Sequence, residues 1–124
     1  MPVRFLNSSV LKWPNAGTVD RAIRSWTAEQ IDQRPEIVRL GYFGSYARGD
    51  WCVGSDLDLI AVVKEANEPF ERRSAMWNLN PLPVPAEILV YTLSEWKNLS
   101  CRDDKFARML HKEVIWTYKD SKET

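Results

Sequence analysis

The residues whose types and spacing could do chemistry are concentrated in residues 44–58, with the sequence GSYARGDWCVGSDLD. Gly44 and Ser45 directly follow a predicted strand, and Asp56 and Asp58 open the next one, with ten residues between Ser45 and Asp56. Side chains two positions apart on a strand leave the same face, so the two carboxylates form an acidic spot at a strand end. Carboxylate oxygens are the ligands that hard divalent cations take, so this spot is a candidate metal site.

The first half of this stretch has the composition of a phosphate cradle. Gly44 lets a backbone approach another group closely, and Ser45 and the first amides of the following turn offer hydrogen-bond donors. A phosphate cradle beside a metal site suits metal-assisted transfer from a nucleoside triphosphate. Taken singly, the aspartates could face solvent and Gly44-Ser45 could be a plain turn. Arg48 could contact a phosphate or form a salt bridge to Asp50; both remain open.

Residues 44–58, named here the signature segment, resemble the signature of the nucleotidyltransferase superfamily typified by DNA polymerase β. The form found here, with GSYARG at residues 44–49 and SDLDL at residues 55–59, is similar to that of the minimal nucleotidyltransferases. The resemblance covers about residues 18–118, and it implies a mixed sheet with helices packed mainly on one face. It also implies a third carboxylate on the next core strand, where Glu87 leads the apolar run Ile88–Val90. Many minimal members carry Asp at that position.

The resemblance also implies an activity. Asp56, Asp58 and Glu87 would hold two Mg²⁺ ions and form the catalytic set, with Glu87 on the side of the acceptor hydroxyl. Gly44, Ser45 and Arg48 would bind the nucleotide donor, ATP or another nucleoside triphosphate. Minimal nucleotidyltransferases often act as the antitoxin of a toxin–antitoxin pair, adding AMP to a tyrosine of a HEPN-domain protein. Two rivals stay open: a non-catalytic module that masks a toxin, and a small-molecule transferase of the aminoglycoside type.

The elements that must position these residues alternate along the chain. Thr18 reads as the N-cap of a helix over 19–33, and Thr92 with Glu95 matches a capping box that opens a helix to about Leu99. Asp103 can cap one more helix. The other predicted elements are strands at 37–43, 57–63, 87–91 and 114–118, a helical turn at 46–48, a helix at 68–79, an extended connector at 80–85, and short edge strands at 4–6 and 9–13. This order predicts an α/β (α+β) fold with a mixed sheet of about four to five strands.

Composition bounds the remaining possibilities. The chain has 124 residues, of which 44% are apolar, and it carries 17 basic and 17 acidic side chains. We therefore expect one domain over 1–124 with its core at about 18–118, and no bulk binding of nucleic acid. The apolar runs are too short for a membrane span, and the N-terminus is not a secretory signal.

Three smaller expectations complete the sequence-based account. Cys52 and Cys101 are expected to be reduced thiols of a cytoplasmic protein, and His111 to lie at a helix surface. The chain ends soon after the last predicted strand, which leaves no room for a substrate-binding domain. We therefore expect the acceptor to be brought by a partner or bound across a homo-oligomer.

Overall fold

The structure, a computed structural model, describes residues 13–120. The elements in chain order are α1 (Ala16–Gln33), β1 (Ile37–Phe43), α2 (Ser45–Arg48), β2 (Leu57–Val63), α3 (Phe70–Arg73), a 3₁₀ helix (Ser74–Met76), β3 (Ala86–Thr92), α4 (Leu93–Ser100), α5 (Lys105–Glu113) and β4 (Ile115–Lys119). Of the two predicted edge strands, residues 4–6 and 9–12 lie outside the described residues.

The four strands form one mixed sheet in the order β3-β2-β1-β4. Strands β2 and β3 run parallel, whereas β1 is antiparallel to both β2 and β4. The carboxyl end of β1 therefore lies beside the amino ends of β2 and β3. This topology confirms the predicted mixed α/β class. It brings Gly44, Asp58 and Glu87 to the same end of the sheet, where β1 ends and β2 and β3 begin.

Helices cover both faces of the sheet. Helix α1 packs Val19, Ile23 and Trp26 into one hydrophobic cluster, while α4 and α5 contribute Trp96, Leu99, Ala107 and Leu110 to a second. The helices are shared more evenly between the faces than the family resemblance implies. The reason lies in β2, whose residues are buried on both faces except at Asp58, so that both faces need cover. Within residues 13–120, no helix has the length and apolar character that a bilayer crossing requires.

Two predicted helix caps are wrong by a few residues. Helix α1 is capped by Asn15, whose side chain accepts a 2.8 Å hydrogen bond from the Thr18 amide. Helix α5 is capped by Asp104, which accepts from Ala107, whereas Asp103 pairs with Arg108. In each case a second good capping residue stands nearby, and propensity alone does not decide between them. The capping box of Thr92 and Glu95 is confirmed.

The helix predicted over 68–79 is also wrong in extent. Only α3 and the 3₁₀ helix form, and the backbone is extended at Trp77. The Trp77 ring lies 6.0 Å from that of Trp26, and the Arg34 guanidinium lies 4.2 Å above it. Burial of Trp77 against α1 therefore overrides the local helical tendency.

Candidate functional site

Two of the predicted carboxylates are neighbours across the sheet. Asp58 pairs in register with Glu87 on β3 and with Phe43 on β1. Register partners present their side chains on the same face, so Phe43, Asp58 and Glu87 form a row across three strands. Together with Leu59 and Leu89 they line a cavity of about 220 Å³. The parallel pairing of β2 and β3 thus brings together residues that lie far apart in the sequence.

Asp56 is the residue immediately before β2, two residues before Asp58, and its side chain is exposed. The loop before it is anchored by Tyr46, whose ring stacks on Trp51 at 5.5 Å. The Tyr46 hydroxyl donates to the carbonyl of Ser55 at 3.3 Å, and the Ser55 amide donates to Cys52 at 2.9 Å. These contacts hold the chain immediately ahead of Asp56.

The pKa of Asp58 is raised above its ordinary value of 3.8. Burial is the largest cause, and the negative charges of Glu87 and Asp56 raise the pKa further. The Arg48 guanidinium acts in the opposite direction. The charges of Glu87, Asp56 and Arg48 thus all act on the ionisation of Asp58.

The donor set agrees with the chemistry of a divalent cation, because all three side chains offer carboxylate oxygens. Among residues 13–120, no group of three or more His, Cys, Asp or Glu side chains is gathered closely enough to hold a metal ion. Mutual repulsion of the negative charges is consistent with this spacing. The structure pairs Asp58 with Glu87 and leaves Asp56 two residues before Asp58. Metal binding by these three residues stays a prediction.

Gly44 closes the site from the side of β1. Its φ angle is +80°, a conformation that L side chains rarely adopt, and a β-carbon built on it would collide with Asp58 Oδ2. Its carbonyl accepts hydrogen bonds from the amides of Ala47 and Arg48 and so begins α2. The backbone at Gly44 consequently passes directly beside the Asp58 carboxylate, and phosphate binding by Gly44 and Ser45 stays a prediction.

Arg48 forms two ion pairs in the structure. Its Nε lies 3.0 Å from Asp50 Oδ2, and its Nη1 lies 3.1 Å from Glu113 Oε2 on α5. The predicted salt bridge to Asp50 is therefore present. Glu113 is a site-adjacent residue that sequence reasoning missed, since nothing in the chain links it to a residue 65 positions away.

His111 is exposed in the last turn of α5, which confirms its predicted position at a helix surface. Its ring stacks on Trp96 at 5.2 Å, and its two nitrogens lie 2.8 Å from the Ala107 carbonyl and 3.1 Å from Ser100 Oγ. These contacts give the histidine a role in joining α5 to α4. Cys52 and Cys101 are both free and exposed.

Comparison with known proteins gives a consistent family. Residues 24–116 match the family described as nucleotidyltransferase domain. A crystal structure of a candidate nucleotidyltransferase from Sulfolobus solfataricus is 22% identical, with 86% of each chain covered and a TM-score of 0.61. This similarity shows the fold of the chain. No curated protein matches the sequence.

Two toxin–antitoxin structures are more distant. A mutant of the pair MntA-HpeT is 8% identical over 79% of this chain and 74% of that chain, with a TM-score of 0.48. A toxin–antitoxin with AMP-PNP is 12% identical over 87% of this chain and 76% of that chain, with a TM-score of 0.44.

Proposed function

This chain belongs to the nucleotidyltransferase domain family, and from that premise we propose that it transfers a nucleoside monophosphate from a nucleoside triphosphate to a hydroxyl acceptor. One observation carries the proposal: Asp58 lies between Gly44 of the phosphate cradle and Glu87 of the neighbouring strand. A nucleotide at the cradle and an acceptor at Glu87 would therefore meet over the same carboxylate. ATP is the proposed donor.

The proposed reaction forms a bond between the acceptor oxygen and the α-phosphorus and breaks the bond to the bridging oxygen, so that pyrophosphate leaves. Asp56, Asp58 and Glu87 would hold two Mg²⁺ ions, which when bound supply positive charge to the attacking and leaving oxygens. Ser45 and the amides after Gly44 would orient the triphosphate. Glu87, the exposed carboxylate at the start of β3, would take the proton of the acceptor hydroxyl.

Arg48 would neutralise charge on the departing pyrophosphate. Its side chain is 44% exposed; of its two ion-pair partners, Asp50 is 61% exposed and Glu113 is 18% exposed. An exposed ion pair contributes little on its own, so Arg48 can exchange Asp50 for a phosphate at small cost. The positive charge of Arg48 acts to lower the pKa of Asp58, and this effect supports a role for Arg48 at the same site.

The proposed acceptor is a tyrosine hydroxyl of a HEPN-domain toxin, and the proposed role of the chain is that of its antitoxin. Support comes from the signature segment, whose residues 44–49 and 55–59 are similar to those of the minimal nucleotidyltransferases with this role. Modification by AMP would neutralise the toxin covalently.

The test is intact-mass spectrometry of a purified HEPN-domain partner after incubation with this chain, ATP and Mg²⁺. We expect the partner to gain one AMP, about 329 Da, on a tyrosine, with pyrophosphate released. A partner that is neutralised with no change of mass would favour masking. Gain of AMP by an aminoglycoside, and not by the protein, would favour the small-molecule transferase.

A further inference from the structure

Among the strands within residues 13–120, β3 lies at an edge of the sheet. The direction of its backbone groups follows from two hydrogen bonds. The Leu57 amide donates to the Pro85 carbonyl at 2.8 Å, so Pro85 points toward β2. Arg73 Nη1 donates to the Val90 carbonyl at 3.0 Å from the other side. The main-chain groups of successive residues point alternately to the two sides of a strand. The N–H and C=O groups of Ala86 and Ile88 therefore point away from β2, as the Val90 carbonyl does.

A groove runs along this outer edge and includes Glu87, a member of the carboxylate row, in its lining. It has a volume of about 400 Å³, and its far wall is formed by α3, the 3₁₀ helix and Leu79. Its near wall is the strand from Ala86 to Leu89. The groove borders the candidate active site, because Glu87 and Leu89 line both this groove and the cavity that contains Asp58.

We propose that this groove is the acceptor site, and that the acceptor enters it as an extended polypeptide segment paired with the outer edge of β3. The inference rests on the proposed nucleotidyl transfer and names the form in which the acceptor is presented. An added strand would lie about 4.8 Å from β3. A residue opposite Glu87 would then extend the row of Phe43, Asp58 and Glu87 by one position, with its hydroxyl beside the carboxylate proposed to accept its proton.

The lining of the groove favours a polypeptide over a polyanion. Its charged side chains are Glu71 and Glu87, both negative, and the remaining lining residues are apolar or carry a hydroxyl. Phosphate backbones are gripped by Lys and Arg, which this groove lacks among its lining residues. An apolar trough beside outward main-chain groups is the arrangement used in recognition by strand addition.

Both ends of the edge restrict the register of such a segment. At one end Pro85 precedes the strand, and at the other Arg73 already binds the Val90 carbonyl. Arg73 is itself buried and held by both carboxylate oxygens of Glu95 at 2.6 and 3.2 Å. Pairing is thereby limited to Ala86 and Ile88, which frame Glu87 and leave one acceptor position opposite it.

The first test measures binding, which does not depend on catalysis. The probe is a short capped peptide of alternating threonine and valine with one central tyrosine, added with Mg²⁺ and the α,β-methylene analogue of ATP, from which AMP cannot be transferred. We expect hydrogen exchange to slow at the Ala86 and Ile88 amides. Ala86→Pro removes one outward N–H without removing a ladder hydrogen bond, and it should weaken binding about tenfold. Ala86→Val keeps the N–H and serves as the matched control; Ala75→Trp, which fills the groove, should block the peptide as well.

The second test compares the same peptide with N-acetyltyrosinamide as AMP acceptors. The proposal predicts that Ala86→Pro lowers transfer to the peptide by a larger factor than transfer to the small amide, and that Ala86→Val shows no such difference between the two acceptors. If the peptide binds at the edge of β3 but neither acceptor is modified, the groove remains a peptide-binding site and the proposed nucleotidyl transfer is refuted. Transfer without slowed exchange at Ala86 and Ile88 would refute the groove alone. Protection of these amides in the absence of peptide would assign the edge to another part of this chain, or to a second copy if it rises with concentration, and would also overturn the proposal.

Discussion

Gly44 lies so close to Asp58 that a β-carbon at residue 44 would collide with the Asp58 Oδ2 atom. The two residues belong to the ends of adjacent antiparallel strands, and Phe43 is the register partner of Asp58. The end of β1 therefore can turn into α2 over the carboxylate only if residue 44 has no side chain. This contact joins the phosphate-binding half of the signature segment to its acidic half.

Substitution of Gly44 should damage the site more than substitution of a second positive-φ glycine nearby. Gly44→Ala forces both a backbone conformation that is essentially restricted to glycine (φ 80°, ψ −152°), at about 1–3 kcal/mol, and displacement of Asp58. Gly49 has the milder left-handed conformation (φ 88°, ψ 8°) and open space around it, so Gly49→Ala carries backbone strain alone. We expect both variants to lose stability in urea unfolding and Gly44→Ala alone to lose affinity for MgATP. Equal nucleotide affinity in the two variants would show that phosphates bind elsewhere.

Removal of the Asp58 charge should stabilise the protein when no divalent metal is present. The pKa of Asp58 is raised in the folded state by burial, by Glu87 and by Asp56. The folded state then binds more protons than the unfolded state between the ordinary and the raised pKa, so stability falls as pH rises through that interval. At neutral pH the ionised Asp58 destabilises the folded state to the full extent, and Asp58→Asn removes this destabilisation.

The measurement is the thermal midpoint of both proteins in EDTA and in Mg²⁺ with AMP-PNP. Asp58→Asn should exceed the wild type in EDTA and gain less from Mg²⁺ and nucleotide. Glu29→Gln, a charge removal on the exposed side of α1, is the control. A destabilised Asp58→Asn protein in EDTA would contradict the electrostatic account of the site.

Glu95 should stabilise the fold in a pH-dependent manner. Hydrogen bonds from Arg73 lower its pKa below 4.5, and Thr92 adds to this at the start of α4. Because the folded pKa is depressed, the contribution is present above pH 4.5 and is lost as pH falls through the folded pKa. Glu95→Gln should cost about 2 kcal/mol at neutral pH, since Arg73 is left buried, while Glu95 itself is partly exposed.

Urea unfolding at several pH values checks this expectation. The stability difference between Glu95→Gln and wild type should shrink in acid. Glu68→Gln is a close control, because Arg73 contacts only the backbone carbonyl of Glu68. A difference that stays constant down to low pH would assign the effect to helix capping rather than to the ion pair.

Arg48→Ala should weaken nucleotide binding and leave the fold intact. The guanidinium is 44% exposed, and its ion pair with Asp50 lies at the surface, where it is screened, whereas Glu113 is more buried. Titration with MgATP at low and high salt should show a loss of affinity that is largest at low salt. Arg108→Ala removes an exposed arginine that pairs with Asp103, and should bind nucleotide as the wild type does.

Apolar runs and capping signals predicted most of the fold. The strands at 37–43 and 57–63 match the structure to the residue, because β-branched and apolar residues bounded by turn formers leave few alternatives. The helix over 68–79 failed because burial of Trp77 against Trp26 is a tertiary contact between residues 51 positions apart. Local periodicity carries no information about such a contact.

The candidate site likewise has features that local sequence predicted and features that it did not. The spacing of Asp56 and Asp58 and the position of Gly44 were readable from the signature segment. The in-register pairing of Asp58 with Glu87 depends on the parallel placement of β3, and the ion pair of Arg48 with Glu113 depends on the docking of α5. Neither arrangement leaves a local pattern in the sequence, because each is set by the packing of distant elements.

The most direct test of the central claim is the fate of the α-phosphate. A lysate of the source organism is incubated with this chain and Mg²⁺, using ATP labelled at either the α- or the γ-phosphate. We predict that adding this chain increases protein-bound α-label above that of the lysate alone and leaves γ-label unchanged, and that the Asp56→Ala, Asp58→Ala double variant, checked for folding by circular dichroism, gives no increase. An increase in γ-label on addition of the chain, or an equal increase in α-label with the double variant, would contradict nucleotidyl transfer at this site.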